Sequence, residues 1–191
     1  KNSYVLSSES CGLDIIGADL VRDIEPGELV IIKKNKIESF KPFKTTQLRP
    51  CLFEYIYFSR PDSILQGRNV YEVRKKIGEE LATENSGDKN KIDIVVPIPD
   101  SGNASALGYS EKIQKPFEFG IIRNHYTGRT FIQDSTSIRH LSVKLKHNPN
   151  LSSFKNKNIA LIDDSIVRGT TSVKIVEMLR NCGVKSIHLR I

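Results

Sequence analysis

Long apolar runs are absent from this chain, and no stretch approaches the roughly 20 consecutive apolar residues that a membrane-spanning helix requires. The start lacks the basic-then-apolar pattern of a secretory signal peptide. Cysteine is scarce. Cys11, Cys51 and Cys182 are odd in number, far apart and irregularly spaced, which argues against both a secreted disulfide framework and a zinc ribbon. A reducing, cytosolic setting is therefore expected. The histidines His125, His140, His147 and His188 show no metal-ligand spacing and read as surface or loop residues. Neither G-x-G-x-x-G nor G-x-x-x-x-G-K-S/T occurs, which disfavours a dinucleotide fold and a nucleoside-triphosphatase loop. No initiator methionine is present: the chain opens on Lys1 and closes on Ile191, directly after the alternation Ile187-His188-Leu189-Arg190, and so reads as a piece of something longer.

What is present is ordinary globular material. The 191 residues are 38% apolar and 27% charged, enough to bury a core without a disulfide or metal staple. Lys and Arg number 29 against 22 Asp and Glu, a formal charge of +7. That excess favours an anionic partner without choosing among nucleic acid, membrane surface and phosphorylated metabolites. Nucleic acid receives no support, because there is no zinc-finger spacing and no aromatic-rich basic stripe.

The first residues, to about position 46, are patterned unlike the rest. Val30-Ile31-Ile32 reads as a short strand after the turn Glu25-Pro26-Gly27. The polar, basic stretch 33–49 reads as a loop at a domain boundary or as a surface hairpin with a basic tip. The aromatic run Cys51-Leu52-Phe53-Glu54-Tyr55-Ile56-Tyr57-Phe58 suits a strand. Val70, Val73, Ile77 and Leu81 predict a helix with one apolar face. Ile92-Asp93-Ile94-Val95-Val96-Pro97-Ile98 is a β-branched run of the kind covered on both faces. A loop, Pro99-Asp100-Ser101-Gly102, leads into a helix over 104–113 that Ser101 or Asn103 is placed to cap. A strand over 117–122 follows. Residues 124–150 are polar and weakly patterned, as functional or mobile segments are. Asn158-Ile159-Ala160-Leu161-Ile162 is another buried strand. It is followed by a helix carrying Val173, Val176, Met178 and Leu179 that ends near Cys182, with Gly183 in the left-handed cap position. A strand over 186–191 completes the pattern. This alternation predicts an α/β fold: a mostly parallel sheet with helices on both faces.

The chemistry concentrates in Asp163-Asp164-Ser165-Ile166-Val167-Arg168-Gly169-Thr170-Thr171. A strand delivers two adjacent carboxylates at its carboxyl end, where open α/β sheets place ligands. A glycine turn and a helix N-terminus follow, which suit a phosphate. Ser165, Thr170 and Thr171 add hydroxyls. Two like charges beside an anion site need an offset, and a sugar diol, a divalent cation or both supply one. Phosphate, pentose hydroxyls and a metal together describe a phosphorylated ribose. A plain capped helix accounts for any one of these residues but not for the ordered set.

This segment resembles the phosphoribosyl pyrophosphate (PRPP) motif of type I phosphoribosyltransferases, and more narrowly the glutamine PRPP amidotransferase family. Three further stretches carry the same likeness: Phe53 to Ser63, Pro97-Ile98-Pro99-Asp100-Ser101-Gly102, and Asn124-His125-Tyr126-Thr127-Gly128-Arg129-Thr130-Phe131-Ile132. The resemblance implies a type I phosphoribosyltransferase domain over 47–191, lacking its last part. It implies that 1–46 is the C-terminal tail of an N-terminal-nucleophile glutaminase domain. The implied reaction transfers ammonia, freed from glutamine, to PRPP. Pyrophosphate leaves and 5-phosphoribosylamine forms, the committed step of purine synthesis. The glutaminase nucleophile is not among these residues, and Cys11 is internal.

By the same resemblance, Ser165, Arg168, Gly169, Thr170 and Thr171 hold the 5-phosphate. Asp163 and Asp164 bind the ribose hydroxyls and help place Mg²⁺. Ser101 contributes to the metal and pyrophosphate side, with Asp100 and Gly102 in the loop facing the pyrophosphate. Arg123, Asn124, Tyr126, Arg129 and Thr130 belong to a flexible loop that closes over PRPP, and Tyr126 lines the ammonia path. Many family members carry Lys and Arg where Arg123 and His125 stand here. Cys51 occupies the position of one ligand of a 4Fe–4S cluster found in some members; a buried free thiol is the expectation here. Cys182 matches no ligand. A cytoplasmic homo-oligomer, without nucleic acid or membrane partners, is implied for the full-length protein. A PRPP-binding regulator or a nucleobase salvage transferase would share the motif. The former is expected to add a helix-turn-helix, which 1–46 does not resemble, and the latter leaves the stretch 51–63 without a role.

Overall fold

The computed structural model describes residues 3–34, 36–43, 47–124 and 147–191. Packing divides the chain into two compact units, Lys1–Val73 and Arg74–Ile191.

The first unit contains α1 (Ser10–Ile15), the antiparallel pair β1 (Leu29–Lys33) and β2 (Lys36–Phe40), a five-residue π-helix at Glu54–Phe58, and the short hairpin β3 (Ile64–Leu65) and β4 (Arg68–Asn69). The basic stretch opens as a hairpin, with Lys33 opposite Lys36 and the pairing ending at Phe40. The two residues between β3 and β4, Gln66 and Gly67, both take positive φ (+50° and +72°), as a primed two-residue turn requires. Glu9 fastens α1 to this hairpin. Its Oε2 accepts from the Arg60 N–H at 2.8 Å and the Ser63 hydroxyl at 2.7 Å.

The aromatic run 51–58 is not a strand. Its backbone coils, with Ser59 N–H donating to the Glu54 carbonyl at 3.1 Å and the Ser59 hydroxyl to Glu54 Oε2 at 2.5 Å. Strand preference in aromatics expresses packing on a half-buried pleat, and among the described residues no strand flanks this run. Tyr55 alone in the π-helix is buried, its hydroxyl donating to the Leu65 carbonyl at 2.8 Å.

Helix α2 (Val70–Glu84) opens with Asn69 Oδ1 accepting from the Glu72 N–H at 3.1 Å, an N-cap bond. The second unit holds the rest: β5 (Ile94–Pro97), α3 (Asn103–Ile113), β6 (Ile121–Arg123), β7 (His147–Pro149), β8 (Asn158–Ile162), α4 (Thr170–Asn181) and β9 (Ser186–Arg190). Strands β5, β8 and β9 form a parallel sheet in that order. Alternate residues go to opposite faces, as a pleated strand dictates. Ile94, Val96, Ile159 and Leu161 pack with Ile175 and Leu179 of α4, whereas Val95, Ala160 and Ile162 pack with Ala106, Tyr109 and Ile113 of α3 and Ala82 of α2. Helices therefore cover both faces, as expected.

The strand expected over 117–122 divides in two. Phe117 bridges Val95 in parallel, and beyond it β6 turns to pair antiparallel with β7. Gly120 marks the change of direction: a Cβ there would lie 2.4 Å from the Phe154 ring. Neither expected cap operates on α3, which starts after Gly102 with no side-chain cap bond. Gly183 does take positive φ (+79°) beyond α4.

Helices α2 and α3 meet backbone to backbone. A Cβ on Gly78 would lie 1.9 Å from the Ser105 carbonyl oxygen, and one on Gly108 2.0 Å from that of Lys75. Gly108→Ala should therefore destabilise the chain by about 3 kcal/mol. Gly87→Ala, where a Cβ meets nothing within 4 Å, should cost far less. Urea unfolding of both variants checks this, and similar midpoints would show that the two helices separate freely.

Candidate functional site

Because β5 and β8 run parallel with Pro97 opposite Ile162, the loops that leave them emerge at one edge of the sheet. The ladder closes with Ile98 N–H donating to the Ile162 carbonyl at 2.8 Å, and Asp163 N–H donating to the Arg190 carbonyl at 3.1 Å. The loop after β5 then doubles back across the end of β8. A Cβ on Gly102 would lie 2.7 Å from the Ile162 carbonyl and 2.8 Å from that of Ile98, so only glycine fits without displacing backbone. The Pro99–Asp100 peptide in this loop is cis.

The crossing brings Ser101 to Asp164. The Ser101 hydroxyl donates to Asp164 Oδ1 at 2.9 Å, and the Ser165 hydroxyl to Oδ2 at 3.1 Å. Both oxygens of Asp164 are thus engaged by hydroxyl donors. Ser101 is no helix cap because its hydroxyl is spent here. Asp163 Oδ1 accepts from the Asp164 backbone N–H at 2.9 Å. Burial pushes the Asp163 carboxyl up to about 7, and the adjoining Asp164 carboxyl adds to the rise. Protonation of Asp163 is thereby favoured, which relieves the repulsion between two neighbouring half-buried carboxyls.

Beyond Ser165 the chain runs exposed through Ile166, Val167 and Arg168 to Gly169, whose φ is +71°. Nothing lies within 4 Å of a Cβ there, so the backbone conformation rather than space selects glycine. Helix α4 follows with no side-chain cap, and its first bond runs from Val173 N–H to the Gly169 carbonyl at 2.9 Å. The N–H groups of Thr170, Thr171 and Ser172 have no acceptor within the helix and face outward at its positive end. That arrangement receives an anion.

The structure thus brings together Ser101, Asp163, Asp164 and Ser165, with Arg168, Gly169, Thr170 and Thr171 continuing from them along one loop. It adds a link that no spacing signalled: Arg123, at the end of β6, forms an ion pair with Asp100. Asn124 follows, half-buried; Tyr126, Arg129 and Thr130 lie outside the described residues. Cys51 is a free thiol but exposed, not buried as expected, because the coiled run 51–58 leaves its first residue at the surface. His147 and His188 are half-buried strand residues rather than loop residues, His188 Nε2 lying 3.3 Å from the Ser186 hydroxyl. Among the described residues no group of three or more His, Cys, Asp or Glu is placed to hold a metal by itself.

The parallel sheet, with a carboxylate pair at its edge leading into a glycine turn and an open helix start, is that of an α/β phosphoribosyltransferase-type domain. The phosphoribosyl transferase domain family matches residues 62–191, and the chain belongs to that family. Its relatives narrow the class. It is 50% identical over 192 residues to an amidophosphoribosyltransferase of Rhizobium etli, covering 98% of this chain and 38% of that protein. It is 50% identical to that of Synechococcus elongatus, covering 100% and 38%. A solved structure described as glutamine PRPP amidotransferase from B. subtilis, complexed with ADP and GMP, superposes with a TM-score of 0.86 at 42% identity, over 95% of this chain and 39% of that one. The chain thus spans about two fifths of the length of these relatives.

The raised Asp163 carboxyl sets a pH dependence of stability. Its protonated form is favoured on folding, so that contribution is complete below pH 3.8 and is lost as pH rises through about 7. After allowance for solvent screening, wild type should lose about 1–2 kcal/mol across this window relative to Asp163→Asn. Urea titrations at stepped pH measure the difference, and parallel curves for the two proteins would refute the assignment.

Proposed function

We propose that this chain is the phosphoribosyl-transfer portion of an enzyme that moves ammonia from glutamine onto PRPP, releasing pyrophosphate and forming 5-phosphoribosylamine. The observation that carries the reading is Asp163 and Asp164, hydroxyl-bonded to Ser101 and Ser165 and leading into the open N-terminus of α4.

In this reading the N–H groups of Thr170 and Thr171, the hydroxyls of Ser165, Thr170 and Thr171, and the Arg168 guanidinium receive the 5-phosphate. Asp163 and Asp164 accept hydrogen bonds from the ribose hydroxyls and so orient the sugar. The loop of Asp100, Ser101 and Gly102 receives the pyrophosphate, whose negative charge grows as the bond to C1 breaks. Donors already in place when that charge develops lower the barrier most. Ammonia arriving neutral needs no strong general base, so nothing resembling a catalytic triad is called for.

The donor set fits Mg²⁺. Carboxylate and hydroxyl oxygens suit a hard cation, and two carboxylates with a substrate's phosphates are its usual complement. A bound Mg²⁺, held by Asp163, Asp164 and Ser101, would neutralise charge on the departing pyrophosphate. Cys51, an exposed free thiol, would supply one ligand of an iron–sulfur cluster in the full-length protein. Arg123, Asn124, Tyr126, Arg129 and Thr130 cover the bound sugar, excluding water that would compete with ammonia. Residues 1–46 are the end of the glutaminase domain and 47–191 belong to the transferase domain. The full-length enzyme is a cytoplasmic homo-oligomer.

Isothermal titration of the 191-residue chain with PRPP and Mg²⁺ tests the site. Wild type should give a saturable heat, and Asp163→Asn combined with Asp164→Asn should weaken binding at least about tenfold, as loss of two charge-assisted hydrogen-bond acceptors implies. Equal heats from the two proteins would sink the ribose assignment.

A further inference from the structure

Asp100 is difficult to reconcile with an anion site. It stands beside Ser101 in the loop that, on the reading above, receives a pyrophosphate, and a fixed carboxylate there repels such a ligand. Its partner resolves the difficulty. Asp100 forms an ion pair with Arg123, whose side chain projects from the end of β6, on the strand opposite His147. The carboxylate and guanidinium are 53% and 51% exposed. A pair this exposed adds little to folding and is cheaply broken. A guanidinium binds a doubly charged phosphate oxygen set more strongly than a single carboxylate, since planar bidentate donation suits both but the phosphate carries more charge.

We propose that Asp100 is a built-in stand-in for the departing phosphate group. In the free protein it holds the Arg123 guanidinium beside the 99–102 loop, and an incoming pyrophosphate group takes its place on Arg123. Asp100 therefore weakens binding, because the pair must break before Arg123 can reach the ligand. Arg123 is then a ligand contact and Asp100 a residue that tempers binding through it. The proposal rests on the 99–102 loop being the pyrophosphate side of the site.

Titration of the chain with inorganic pyrophosphate and Mg²⁺, and separately with inorganic phosphate, tests it on wild type, Asp100→Asn and Arg123→Gln. Asp100→Asn should tighten pyrophosphate about threefold to tenfold, by freeing Arg123 and removing a like charge. It should tighten phosphate by no larger a factor, since the same ion pair is released and phosphate carries less charge. Arg123→Gln should weaken pyrophosphate about fivefold or more. Both side chains are half exposed, so both variants should keep the wild-type circular dichroism and melting temperature. If Asp100→Asn binds pyrophosphate as wild type does, or more weakly, the stand-in role is overturned while the site reading survives. If wild type itself takes up no pyrophosphate, the reading of the loop fails and the inference goes with it.

Discussion

The parallel pairing of β5 with β8 governs the chemistry of this molecule. With Pro97 opposite Ile162, both strands end at the same level, and the chains that leave them occupy a single edge. The loop from β5 crosses the end of β8 at backbone contact distance, which Gly102 permits. Only that crossing carries Ser101 to a carboxylate 63 residues later in the chain. Slipping the pairing by one residue would turn the core residues of both strands outward, so the two buried faces of the sheet and the Ser101–Asp164 bond stand or fall together.

A second constraint is electrostatic. Adjacent carboxyls at a half-buried edge are unfavourable, and the fold accommodates them unequally. Asp164 receives two hydroxyl donors and Asp163 is pushed toward protonation. Local interactions that work against folding are expected where a site must bind a ligand. The same pattern recurs on the facing loop, where Asp100 is compensated by Arg123. In both places a charge at the sheet edge is kept tolerable by a partner from another segment of the chain.

Much of the framework was legible in the residues. The run 158–162 is β8 to the residue, the alternation of Ile94 and Val96 against Val95 separates the two faces, and Gly183 sits beyond α4 as a left-handed glycine should. The errors share one cause. The run 51–58 looked like a strand because its aromatics favour pleats, yet a pleat needs a neighbouring strand, and Glu54 and Ser59 bond to each other instead. Ser101 looked like a cap because it precedes a helix, but a carboxylate distant in sequence takes its hydroxyl. Residues 117–122 looked like one strand because nothing local announces the ring of Phe154 beneath Gly120.

Local order decided the candidate site's contents. Two carboxylates, a hydroxyl, a glycine and a helix start, in that sequence after an apolar strand, stay together through spacing alone, since consecutive residues cannot separate in space. Tertiary structure decided which of those groups are charged and which are occupied. Burial, not sequence, raises the Asp163 carboxyl. Chain crossing, not spacing, brings Ser101 to Asp164 and Arg123 to Asp100. Proton affinity and ion pairing depend on solvent exclusion and on distances between segments far apart in the chain, and those quantities exist only once the sheet has formed.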